Sequence, residues 1–123
     1  MAWNEAREII RQKILLDTDI NTVRSSAREV LSTNHLCQKY DYNNEPGFLV
    51  KIGVKEKIEI TWSMLQTCFV ALSSPQGYNT NFFKEKYGIQ KEHHGCHVHI
   101  VGMIFVKAGI AYQDDESGSY YLI

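Results

Sequence analysis

The sequence predicts an α+β fold, with two N-terminal helices and a small antiparallel β-meander packed on a C-terminal unit of three helices and a β-hairpin. Three observations lead to it. Apolar residues recur at helical spacing in Trp3, Ala6, Ile10 and Ile14, and again in Leu65, Cys68, Phe69 and Leu72. Between these stretches, Phe48, Val50 and Ile52, then Ile58, Ile60 and Trp62, follow the two-residue period of strands. At the C-terminus, Ile110 to Gln113 and Tyr120 to Ile123 flank the polar, glycine-containing loop DDESGS.

Taken in order, the first helix should run from Trp3 to Leu16, with Arg7, Arg11 and Lys13 in solvent, and break at Asp17 to Asp19. Asn21 or Thr22 can cap a second helix, whose stripe is Val23, Ala27, Val30 and Leu31 and whose end falls near Asn34. Leu36 to Tyr42 alternate weakly, and NNEPG, residues 43–47, is turn chemistry. Two or three strands separated by a charged turn at Gly53 to Lys57 then form the meander, which needs helices on one face to be stable.

Thr61 is a good N-cap for the next helix, which ends before SSPQG. Asn79 or Thr80 caps a shorter one through Phe82, Phe83 and Tyr87, where Gly88 is expected as a left-handed C-cap. A third helix should span Cys96 to Lys107 and stop at Gly109. The segments TWSMLQTCFVAL, NTNFFKEKYG and CHVHIVGMIFVKAGIAY, followed by the hairpin, resemble the consecutive parts of a winged-helix domain. GCHVHIVGMIFVKAGIA is also similar to small bacterial proteins carried on mobile gene cassettes, a resemblance that implies no activity. The chain therefore reads as one domain, 1–123, with helices and meander over 1–60 and a winged-helix-like unit over 61–123.

A net charge of -1 gives the chain no overall attraction for a phosphate backbone, so nucleic-acid binding would need a local patch. Charges within the first helix exclude a signal-peptide core, and the apolar stretch Val98 to Ile110 is too short to span a bilayer. Three cysteines, Cys37, Cys68 and Cys96, fit reduced thiols and a cytoplasmic location. No P-loop, GxGxxG, HExxH or GxSxG occurs, and Cys96 beside His97 or His99 has no evident third group to orient a nucleophile, so the chain is expected not to be an enzyme.

The resemblance implies that the third helix reads DNA, which requires basic or amide side chains on its exposed face. If Val101, Ile104, Phe105 and Ala108 face the core, the outer face carries His99, Gly102, Met103, Val106 and Lys107. That face is apolar and must be covered, by the N-terminal half or by a second copy of the chain. The leading expectation is accordingly a non-catalytic protein-interaction or assembly module, homodimeric through His99, Met103 and Val106. The alternative is a winged-helix DNA-binding regulator using Lys84, Lys86, Lys91 and Lys107, although Asp114, Asp115 and Glu116 in the wing would repel phosphates. A second alternative is a metal-binding protein built on HHGCHVH, where His93, Cys96, His97 and His99 are ligands of the kind zinc prefers. His35 and Cys37 could add to that cluster, but no spacing brings them in.

Overall fold

The computed structural model describes residues 1–21 and 28–123. Helix α1 (Trp3–Lys13) forms because Ala6 and Ile10 fall on one fully buried face, while Glu5 in the first turn and Arg11 and Lys13 in the last suit the helix dipole. It stops at Lys13 rather than Leu16. The Thr18 hydroxyl accepts the Leu15 N–H, and Asp17 takes a left-handed backbone with φ 65°.

The expected second helix is the main correction. Its portion over residues 22–27 lies outside the described residues, and from Arg28 onward the chain is a strand, β1 (Arg28–Cys37). This strand pairs antiparallel with β2 (Glu45–Ile52), which pairs with β3 (Glu56–Thr61), in the order β1-β2-β3. Val30 does enter the core, but opposite Val50 in a ladder. The other edge of β1 is engaged as well: the Asp17 N–H donates to the Val30 carbonyl, the Val30 N–H to Thr18 and the Ile20 N–H to Arg28. Hydrogen bonds on both edges outweigh a local helical pattern, because strand stability comes from neighbours distant in sequence.

Val30, Phe48, Val50, Ile58 and Ile60 form the buried face of this sheet. Gly47 sits where β2 is crowded by β3: a Cβ there would fall 2.1 Å from the Ile60 carbonyl oxygen and 2.8 Å from the Thr61 Cα, so any side chain would force the strands apart.

Helix α2 (Trp62–Ala71) begins directly after β3, so Trp62, expected to end the strand, is instead its first helical residue. The buried Thr61 hydroxyl accepts the Met64 N–H at 3.0 Å and fixes this start. Thr61→Val keeps the shape and removes the acceptor; it is expected to lower unfolding free energy by about 1 kcal/mol in urea denaturation.

Asn79 caps helix α3 (Thr80–Lys86) through the Phe82 N–H at 3.0 Å. Gly88 does not close α3 in a left-handed turn. It opens a further short helix, α4 (Gly88–His93), whose one buried residue, Gln90, leaves no apolar stripe to read in sequence. Helix α5 (His97–Lys107) follows, then β4 (Ala111–Gln113) and β5 (Tyr120–Leu122), paired as a two-stranded ribbon. Tyr78 bridges to Tyr120 ahead of α3 and extends the ribbon by one contact.

The result is an α+β fold that has, among the described residues, five helices, a three-stranded antiparallel sheet and a two-stranded ribbon. Helix α5 packs against α1, β3 and β4, and Val98, Ile100, Val101, Gly102, Ile104 and Phe105 are all buried. No helix among the described residues is long and apolar enough to cross a membrane.

Candidate functional site

The loop between β1 and β2, residues 38–44, reaches Glu59 on β3 and Gln90 and His93 on α4. Glu59 on β3 is the anchor. It pairs with Leu49, on the opposite side of the sheet from Phe48 and Val50, yet only 6% of it is exposed. Its carboxylate accepts the backbone N–H groups of Gln38 (3.1 Å) and Lys39 (2.9 Å) and the His35 Nε2–H at 2.5 Å. Burial opposes ionisation of Glu59, but the Lys39 amide, the His35 ring and the Gln38 amide outweigh it and hold the carboxyl below its usual range. A buried charge held this way ties the loop to β3, because the carboxylate depends on these donors for its own satisfaction.

From that anchor the loop delivers aromatic groups to α4. Tyr42 accepts a hydrogen bond from the buried Gln90 amide, and Tyr40 is bonded to His93 Nδ1 at 3.0 Å with the two rings stacked 5.7 Å apart. Tyr40, Asn43 and Asn44 all have left-handed backbone, with φ of 53°, 52° and 66°. Asn tolerates that conformation, but a tyrosine there is uncommon and held only by its surroundings.

An open groove of about 470 Å³ lies against this region, lined by His35, Lys39, Leu49, Lys55, Glu56, Lys57, Glu59 and His94. A small adjoining space of about 10 Å³ shares Lys39, Glu59 and His94 with it and is closed by Tyr40, Tyr42, Ile58 and His97. His94 Nδ1 lies 3.5 Å from the Glu56 carboxylate at the groove edge. Among the described residues no ion pair involves Lys39, Lys55 or Lys57. The groove therefore carries positive charge in excess of its two carboxylates, one of which is already saturated with donors.

The histidine-rich segment is dispersed by the turn between α4 and α5. His93 turns to Tyr40 and His94 to Glu56. His97 is buried, stacked 5.9 Å from Phe83, and its Nδ1–H donates to the His94 carbonyl at 2.7 Å. Burial, against the pull of that hydrogen bond and helped by nearby His94 and Lys39, lowers its pKa to about 4. His99 Nδ1 is hydrogen-bonded to the Tyr120 hydroxyl at 3.0 Å. Cys96 is half-buried, and burial pushes its thiol up, away from the thiolate a metal or a nucleophile needs. Among the described residues, no three His, Cys, Asp or Glu side chains are grouped to hold a metal ion.

Of the outer-face residues of α5, Gly102 lies under the Tyr120 ring, Met103 and Val106 are partly buried against the core, and Lys107 is exposed. Lys84 and Lys86 are exposed on α3, Lys91 is half-buried on α4 before the start of α5, and Lys107 is at its far end. These four lysines thus belong to three helices.

Spacing pointed to His93–His99 but not to Glu59, Lys39, Tyr40 or Gln90. Glu59 reads in sequence as an ordinary outward strand residue between Ile58 and Ile60. His35, named as a distant addition to the cluster, does line the groove with His94, whereas Cys37 is buried. The chain matches no protein-family model, no curated protein and no solved structure.

Proposed function

We propose that this protein is a non-catalytic binding module whose site is the groove beside Glu59, and that it takes a small ligand bearing a phosphate or carboxylate group. The observation that carries this reading is the charge arrangement: the Glu59 carboxylate is engaged by two amides and His35, while Lys39, Lys55 and Lys57 line the groove without a carboxylate partner among the described residues. A volume of about 470 Å³ lies within the range of small-molecule sites. Exposed lysines each contribute about 1 kcal/mol or less, so a simple anion should bind on the order of millimolar.

The order α2, Tyr78 bridge, α3, α4, α5 and ribbon supports a winged-helix-type scaffold for the C-terminal half. The burial of α5 supports its use in packing rather than in reading DNA. A homodimer through His99, Met103 and Val106 has less support, since Gly102 beside them is already covered by Tyr120. Free thiols at Cys37, Cys68 and Cys96 support a reducing compartment such as the cytoplasm.

In urea denaturation at constant ionic strength and pH 7, replacing chloride with 50 mM inorganic phosphate should add about 2 kcal/mol to a chain that binds it at about 1 mM. Lys39→Glu and Lys57→Glu should each remove most of that gain, and Lys84→Glu should leave it intact. An equal gain in all three variants would mean that phosphate acts on the chain as a general salt, and the binding reading would fall.

A further inference from the structure

We propose that the ligand is a nucleoside phosphate, with its phosphate held by Lys39, Lys55 and Lys57 and its base stacked on Tyr40. This rests on the anion-binding reading and adds the aromatic half of the site. Tyr40 follows Lys39 directly in the loop and lines the small space that adjoins the groove and shares Lys39, Glu59 and His94 with it. Tyr40 is 38% exposed, so part of it is open to a ligand.

The ring is also fixed before any ligand arrives. His93 backs it, stacked with rings 30° apart, and holds its hydroxyl; Tyr42 meets it edge-on at 5.5 Å. Its left-handed backbone is maintained by a loop tied to Glu59 through Gln38 and Lys39. Tyr40 is thus an immobilised, partly exposed aromatic next to Lys39, which has no ion-pair partner among the described residues. It suits a flat π-system, since a ring already immobilised loses little freedom when a base stacks on it. A carboxylate ligand without a ring would use the lysines and leave Tyr40 idle.

The test compares adenosine 5′-monophosphate, ribose 5-phosphate and inorganic phosphate by isothermal titration calorimetry at pH 7. The native chain should bind the nucleotide about tenfold more tightly than ribose 5-phosphate, the increment typical of one base on one aromatic ring. Tyr40→Asn, in which Asn accepts the left-handed backbone, should bring the two within about twofold and leave ribose 5-phosphate unchanged. His93→Ala, which removes the backing ring, should give an intermediate ratio. Equal binding of nucleotide and ribose 5-phosphate by the native chain, or a preference that survives in Tyr40→Asn, would overturn the nucleoside assignment while leaving the anion site standing. Absence of binding by all three would remove the anion site and this proposal together.

Discussion

Gly102→Ala should destabilise the fold by about 2 kcal/mol or more, although alanine is the better helix former by about 1 kcal/mol. Gly102 lies in the middle of α5, and a Cβ there would fall 2.3 to 2.6 Å from three atoms of the Tyr120 ring. That ring cannot retreat cheaply. It is fully buried, lies 5.8 Å from the Tyr78 ring, and its hydroxyl is bonded to His99; its backbone exchanges two hydrogen bonds with Tyr78. Moving it would part α5 from the ribbon. Urea denaturation of Gly102→Ala, Tyr120→Leu and the double variant checks the cause: the double variant should be more stable than the sum of the single losses predicts. Gly102→Ala as stable as the native chain would mean that the ribbon does not close on α5 in this way.

A second large effect is expected from acid. His97 is neutral in the fold because burial lowers its pKa from 6.5 to about 4. The unfolded chain therefore binds the extra proton first, so stability is complete above pH 6.5 and is lost as pH falls toward 4. Across that window the loss from this one residue is about 3 kcal/mol. Glu59 acts in a separate, lower window: its carboxyl is held below the usual 4.5, so its contribution is present above 4.5 and lost as pH falls further. Urea midpoints at pH 7.0, 5.5 and 4.5 should decline steadily in the native chain. In His97→Gln, which can still donate to the His94 carbonyl, the decline between 6.5 and 4.5 should be largely absent. The same slope in both proteins would place the acid sensitivity elsewhere.

How much of this was legible depended on whether a residue's partners were local. Trp3, Ala6 and Ile10 found their helix, Thr61 capped the next one, and the DDESGS loop closed the ribbon, since each signal lies within a few residues of its effect. Strand β1 was misread because Val30 and Leu31 continue a helical spacing that starts in sequence at Val23 and Ala27, while the neighbours that pair with the strand lie in β2 and at Asp17 to Ile20. Helix α4 was missed because six residues with only Gln90 buried carry no stripe.

The site divides in the same way. His93 to His99 stood out as composition, but α4, a turn and α5 send those side chains to Tyr40, Glu56, Phe83 and Tyr120, so the cluster in sequence is not a cluster in space. What gathers the groove is Glu59 holding the amides of Gln38 and Lys39, which lie 21 and 20 residues earlier in the chain. No local pattern encodes that bond. Its signature, a carboxylate facing away from the core yet buried, exists only once the β1–β2 loop has folded over it.

The most direct test of the anion-binding groove is to follow backbone amide resonances of the isotope-labelled chain while inorganic phosphate is titrated at fixed ionic strength and pH 7. Saturable shifts are expected, confined to the β1–β2 loop around Lys39, the β2–β3 turn at Lys55 with the start of β3 at Lys57, and His94, all reporting one dissociation constant. Shifts that never saturate, or that centre on Lys84, Lys86 and Lys107, would contradict the anion-binding groove.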